Sequence, residues 1–111
     1  MALSSQPVSV GPIDTTASPD ARRVYVANDV MSPVYEIGDE VVSDPLRPPA
    51  PGCDVLLIRD ADGNEFETAL RRLEGISPTH WTARQTNPPK TERLDRKIWH
   101  TAERIVFVIR R

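Results

Sequence analysis

The turn Asn28-Asp29-Val30-Met31-Ser32-Pro33 is the stretch of this chain whose residue types come nearest to reactive chemistry. Its spacing is that of a loop presenting a nucleophilic serine beside a methionine, and Ser32 supplies its one hydroxyl. Such a serine attacks a carbonyl only when a neighbouring base takes its proton. The position just before the methionine, however, holds Val30, whose side chain has no lone pair to donate. His80 and His100 read as surface or half-buried strand residues rather than bases, and two histidines alone make a poor metal set. The single Cys53 can form neither an internal disulfide nor a cysteine-based zinc site, and reads as a small apolar residue at the start of a strand. No metal and no cofactor is expected.

A second chemistry belongs to the C-terminal third. Residues 1–75 hold 6 basic and 13 acidic side chains, whereas residues 76–111 hold 8 basic and 3 acidic. Arg84, Lys90, Arg93, Arg96 and Lys97 could contact phosphates there, with Trp81 or Trp99 as a stacking platform. Glu92 and Asp95 interrupt that stretch, and aromatic residues are only 5% of the chain, so a solvated charged face is the competing reading.

The elements that must carry these residues are strands. "RRVYVA" from Arg22 alternates and is rich in β-formers, and Gly38-Asp39 marks a tight turn into "EVVSD". "PLRPPAPG" lacks backbone donors and is a loop. "CDVLLIRDADGNEFETALRRLEG" predicts a hairpin turning at Asp62-Gly63, whose return strand sets Phe66, Thr68 and Leu70 on one face and Glu65, Glu67, Ala69 and Arg71 on the other. "THWTARQT" predicts a further strand ended by "NPP", and "KTERLDRK" an irregular segment or one short helical turn. The closing "RIVFVIR" has the unbroken apolar run of a strand covered on both faces. The expected fold is therefore all-β, a small domain of five to eight short strands and hairpins.

At 111 residues the chain is one domain at most, with room for one modest core. Residues 1–20 are rich in Ser, Thr, Pro and Gly without apolar periodicity, which predicts a disordered linker or tail; residues 21–111 form the domain. Hydrophobic residues at 39%, with no apolar run near the roughly 20 residues of a membrane helix, argue against a membrane protein. The N-terminus lacks the basic and apolar regions of a secretory signal, so a cytoplasmic location is expected.

Taken in order, "NDVMSP", "IGDEVVSDP", "LRRLEG", "QTNPP" and the terminal "RIVFVIR" resemble the LexA-type self-cleaving repressor family, over roughly residues 22–111. In that family a serine before the methionine is the nucleophile and a lysine before Arg-Leu is its general base. The resemblance places Val30 on the serine and Arg71 on the lysine. Valine cannot attack a carbonyl, and an arginine with a pKa above about 12 cannot accept a proton. The resemblance thus implies a LexA or phage-repressor C-terminal-like domain that is not an enzyme: a non-catalytic dimerisation domain of a phage-type transcriptional repressor, or a stand-alone relic of one.

The partners it implies are a second copy, DNA reached indirectly through an upstream helix-turn-helix domain absent from this chain, and RecA or an antirepressor. Ile105, Val106, Phe107, Val108 and Ile109 are the expected dimer interface, with Ile105, Phe107 and Ile109 on one face of an open terminal strand. Arg71 is expected to face Val30 across the vacant site and to engage a backbone acceptor or a carboxylate such as Glu65 or Glu67. Two other classes remain open: a serine hydrolase using Ser32, and a nucleic-acid module using the basic residues above.

Overall fold

Alternation over His80–Thr86 sends Trp81, Ala83 and Gln85 inward and leaves Thr82 and Arg84 on the other side, the period-two pattern of a strand with one covered face. The structure, a computed structural model, describes residues 19–60 and 66–111, and all the regular structure in them is β. Its strands are β1 (Arg22–Tyr25), β2 (Glu40–Asp44), β3 (Asp54–Asp60), β4 (Phe66–Ile76), β5 (His80–Thr86), β6 (Pro89–Asp95) and β7 (Thr101–Ile109). They form one antiparallel sheet in the order β1-β2-β7-β3-β4-β5-β6. Among the described residues no helix is long and apolar enough to cross a membrane. The Asp62-Gly63 turn, and the tail up to residue 18, lie outside the described residues.

β3 is central and reads Val-Leu-Leu-Ile because both of its faces are covered. Val55 and Leu57 enter a first core with Leu73, Trp81 and Ala83, closed by Ala69, Leu94, Trp99 and Ala102. On the opposite face a second core gathers Val26, Met31, Tyr35 and Val41 against Leu70, Ile105 and Val108. Consecutive hairpins build the first core. The second needs the 26–39 loop folded back over the sheet.

Three expectations are corrected. Residues 89–95 form β6, neither irregular nor helical: Lys90, Thr91, Glu92 and Arg93 alternate along an edge strand, where charges and Pro89 discourage further pairing. β7 is an interior strand rather than an open edge, paired with β2 over its second half and with β3 over its first. Its face assignment also changes, because Phe107 pairs with Val42 and Ile105 with Ser43, leaving Val106 as a bulge residue without a partner. The extra residue breaks the alternation, so Ile105 and Val108 share a face and both enter the second core. A second bulge at Glu74 lies between the Leu73–Ala83 and Gly75–Thr82 pairs.

Candidate functional site

The 28–33 turn is held from inside and from outside. Asn28 Oδ1 accepts the Val30 N–H (3.2 Å), Ser32 N donates to Asp29 O (3.0 Å), and Tyr35 N to Met31 O (2.9 Å). The turn between β5 and β6 supplies the outer ties. Thr86 N and Asn87 N both donate to Val30 O (3.0 and 2.9 Å), Thr86 Oγ1 to Ser32 O (2.8 Å), and Asn87 Nδ2 to Asp29 O (3.1 Å). Met31 is buried beneath the turn. The "NDVMSP" and "QTNPP" segments, far apart in the chain, therefore meet through their backbones.

The exit of the loop is fixed by charge. Gly38, at φ +96°, turns the chain back so that its N–H reaches Val26 O, and Arg111 lies where a Cβ would project. Buried Asp39 accepts from Glu36 N (2.9 Å), Arg111 N (3.2 Å) and Arg110 Nη1 (2.9 Å). Burial pushes its carboxyl up, but these donors outweigh burial and hold it below the usual carboxylate range. Arg110 also donates to Val34 O (2.7 Å) and lies over the Tyr35 ring. The Tyr35 hydroxyl donates to Asp54, whose other oxygen accepts Arg72 Nε (2.9 Å). Burial first, then the bond to Asp54 and its negative charge, raise the Tyr35 phenol far above its ordinary range.

Val30 and Arg71 line one cavity, of about 140 Å³, between the 24–31 segment and β4. β4 pairs with β5 only from Arg72 onward, so its edge over residues 68–71 has no strand partner on that side among the described residues. Arg71 Nη1 donates to Leu70 O (2.8 Å), the backbone acceptor the sequence suggested. Glu67 is taken by Arg59, and Glu65 lies outside the described residues. Burial lowers the Arg71 pKa from its ordinary value, offset in part by the charge of Glu92. An arginine even so lowered is a cation, not a base. Asn28, Thr68 and Tyr25, the last with its exposed side chain on the far side of β1, are the other polar residues along the lining. Ser32, His80 and His100 are not part of it. His80 Nδ1 sits 2.8 Å from Thr79 Oγ1, and His100 Nε2 3.5 Å from Asp60.

The remaining sequence-named residues do not assemble as expected. Of the apolar run in β7, Ile105 and Val108 are spent in the second core. Phe107 and Ile109 face the other way, beside Val42 and Glu40 of β2, with Arg23 and Tyr25 of β1 completing the two cross-strand rows. The basic residues divide between the faces of the β5–β6 hairpin. Register puts Arg84 opposite Thr91 and Arg93 opposite Thr82 on one face, and Lys90 opposite Gln85 on the other. Arg96 lies over the Trp81 ring (4.1 Å to its centroid), and Trp81, buried in the first core, is not a stacking platform for a base. Lys97 follows in the turn after β6, where its N–H donates to Asp95 Oδ1 (2.8 Å). Cys53 is a half-buried free thiol just before β3. Among the described residues no group of three His, Cys, Asp or Glu side chains is placed to hold a metal.

Sequence reasoning missed two polar assemblies. One is the Asp39–Arg110 and Tyr35–Asp54–Arg72 set just described. The other is buried Glu103, which accepts Ser43 Oγ (2.8 Å) and pairs with Arg22 Nε (2.8 Å). The available signal was an acid inside an otherwise apolar strand, since such a residue needs a partner if it faces in. A scan against protein-family models finds none that matches, and searches among curated proteins and among solved structures find no match.

Proposed function

We propose that this chain is a non-catalytic domain of the LexA or phage-repressor C-terminal type, whose work is to hold two copies of a transcriptional regulator together. The observation that carries the reading is that Val30 and Arg71, distant in sequence, line the same cavity. A serine and a lysine at these positions would be a nucleophile and its base. The valine and arginine keep the place and lose the chemistry. Dimerisation is the function left to such a domain, because joining two DNA-binding heads raises operator affinity through effective concentration alone.

The dimer surface in this reading is the outer side of β1, β2 and β7, with Tyr25, Phe107 and Ile109 as its apolar part. Arg23 and Glu40 lie on the same side as an ion pair (3.9 Å), so they add little net charge to a patch that must meet its own copy. This replaces the whole run 105–109 as the expected interface.

The test is to fuse the domain behind a helix-turn-helix head that binds its operator only as a dimer. The fusion should bind operator far more tightly than the head alone, and Phe107→Asp in it should abolish the gain while the isolated domain stays folded by circular dichroism. A fusion no better than the head alone overturns the reading. Its non-catalytic half is tested separately: incubation at alkaline pH should leave the full-length mass unchanged, and a fluorophosphonate probe should not label Ser32. Either cleavage or labelling would make the domain a hydrolase.

A further inference from the structure

We infer that the cavity beside Val30 and Arg71 is a binding site for a small carboxylate whose apolar body is about the size of a benzene ring. The inference goes beyond dimerisation and does not rest on it. Volume sets the size of the guest. At about 140 Å³ the cavity is close to the roughly 150 Å³ at which an apolar protein cavity admits benzene, and well short of a nucleotide or a cofactor. Its floor is Met31, Val41 and Leu56, each about 1% exposed and without a hydrogen-bonding group. The deep end therefore suits hydrocarbon. Asn28 and Thr68, both exposed, stand with Arg71 as the polar side of the lining.

Arg71 sets the charge of the guest. Arg22, Arg23, Arg47, Arg59, Arg72 and Arg110 each have a carboxylate within ion-pair distance. Arg71, like Arg84, Arg93, Arg96, Arg104 and Arg111, has none among the described residues, and of these it is Arg71 that lies on the cavity. Its hydrogen bond goes to Leu70 O, and Glu92 acts on it only through its field. A guanidinium has five N–H donors in a planar fork, so most of its donor capacity is left for a ligand. Half-buried and held on the Leu70 carbonyl at the unpaired edge of β4, where the lining of the cavity includes Arg71, that fork fits a carboxylate accepting two parallel hydrogen bonds better than it fits a neutral amide, which offers one oxygen.

The test is a titration of the ¹⁵N-labelled protein with benzoate, with benzamide as a neutral match in shape and acetate as a carboxylate without the ring. Benzoate should shift the amide signals of Val30, Met31, Leu70 and Arg71 saturably, and benzamide and acetate should bind at least about tenfold more weakly. Arg71→Gln should weaken benzoate by a similar factor while leaving benzamide unchanged. Val30→Phe, which fills the cavity, should remove benzoate binding while the rest of the spectrum keeps its dispersion. Equal binding of benzamide, indifference to Arg71→Gln, shifts confined to other parts of the sheet, or no saturable shift at millimolar benzoate would each overturn the site. A saturable shift in a sample that sediments as a monomer would support this site while counting against the dimer, so the two proposals fail separately.

Discussion

The two cores are closed by different means. Beneath the β3–β6 meander, Val55, Leu57, Leu73, Trp81 and Ala83 pack with exposures of 0–3%, and neighbours in sequence supply most of the wall. Beneath the 26–39 loop, Met31 and Val41 are as deeply buried, but the lid is irregular chain held by Asp39, Arg110, Thr86 and Asn87, and a cavity of about 140 Å³ remains between lid and sheet. Consecutive hairpins, here with an added bond from Trp81 Nε1 to Trp99 O (2.7 Å), can close most of a core through their own ladders. A loop cannot, because its backbone groups need partners that the ladder does not supply. The cavity described above lies under the fastened lid.

The comparison is broken most directly by truncation. Leu73→Ala, in the meander core, should cost about 3–5 kcal/mol of unfolding free energy, whereas Met31→Ala should cost nearer 2, because a wall already bordering open space loses fewer contacts. Urea unfolding of the two variants at equal m-values decides it. A Met31→Ala cost equal to or above that of Leu73→Ala would mean the lid core is as well packed as the other.

Removing a fastening should have the next largest effect. Asp39→Asn weakens three bonds at once and should cost about 2 kcal/mol near neutral pH, from the usual worth of hydrogen bonds to a buried charge. The folded protein holds this carboxyl below its ordinary pKa, so the unfolded chain takes up the proton first as pH falls. Its contribution is thus complete above about pH 4 and is lost as pH drops through the folded value. Unfolding midpoints measured down from pH 6 should fall less steeply below pH 4 in Asp39→Asn than in the unmodified protein. Parallel curves would show that Asp39 is not a fastening.

The smallest effect sharpens the comparison by its sign. Val30→Leu adds one methylene toward the cavity and should stabilise by up to about 0.8 kcal/mol, the worth of burying that group without displacing a neighbour. A destabilisation, read from the same urea curves, would mean the space beside Val30 cannot accept even that increment.

Most of the strands were legible in the sequence, for physical reasons that also explain the failures. The 54–60 run and the 105–109 part of β7 could be assigned because burial on two faces demands unbroken apolar residues, whereas Thr101–Glu103 carried no such mark. Gly38 could be assigned because a positive φ nearly demands glycine. β6 could not, since an edge strand packs one side only and its Lys, Glu and Arg residues look like a solvated turn. The bulge at Val106 was equally hidden: an extra residue in a run of similar apolar side chains leaves no mark on composition. Val30 and Arg71 were paired by resemblance to ordered motifs. The cavity they share depends on the ending of β5 pairing at Arg72, which no local pattern announces. Tyr35, Asp54 and Arg110 were missed because their partners are far away along the chain.

The unpaired Val106 has a consequence for anyone comparing this chain with another or editing it. It works as a one-residue phase change: every position after it is read in the opposite in-out sense from a regular strand. A sequence lacking the residue would present, at the position aligned with Val108, a side chain directed away from the lid, so an ungapped alignment would equate core with surface. Deleting Val106 here would turn the bulge into regular strand: Phe107 would follow Ile105 directly and stay opposite Val42, Val108 would stay on the side of the lid core, and only the bend and extra twist of the bulge would be lost.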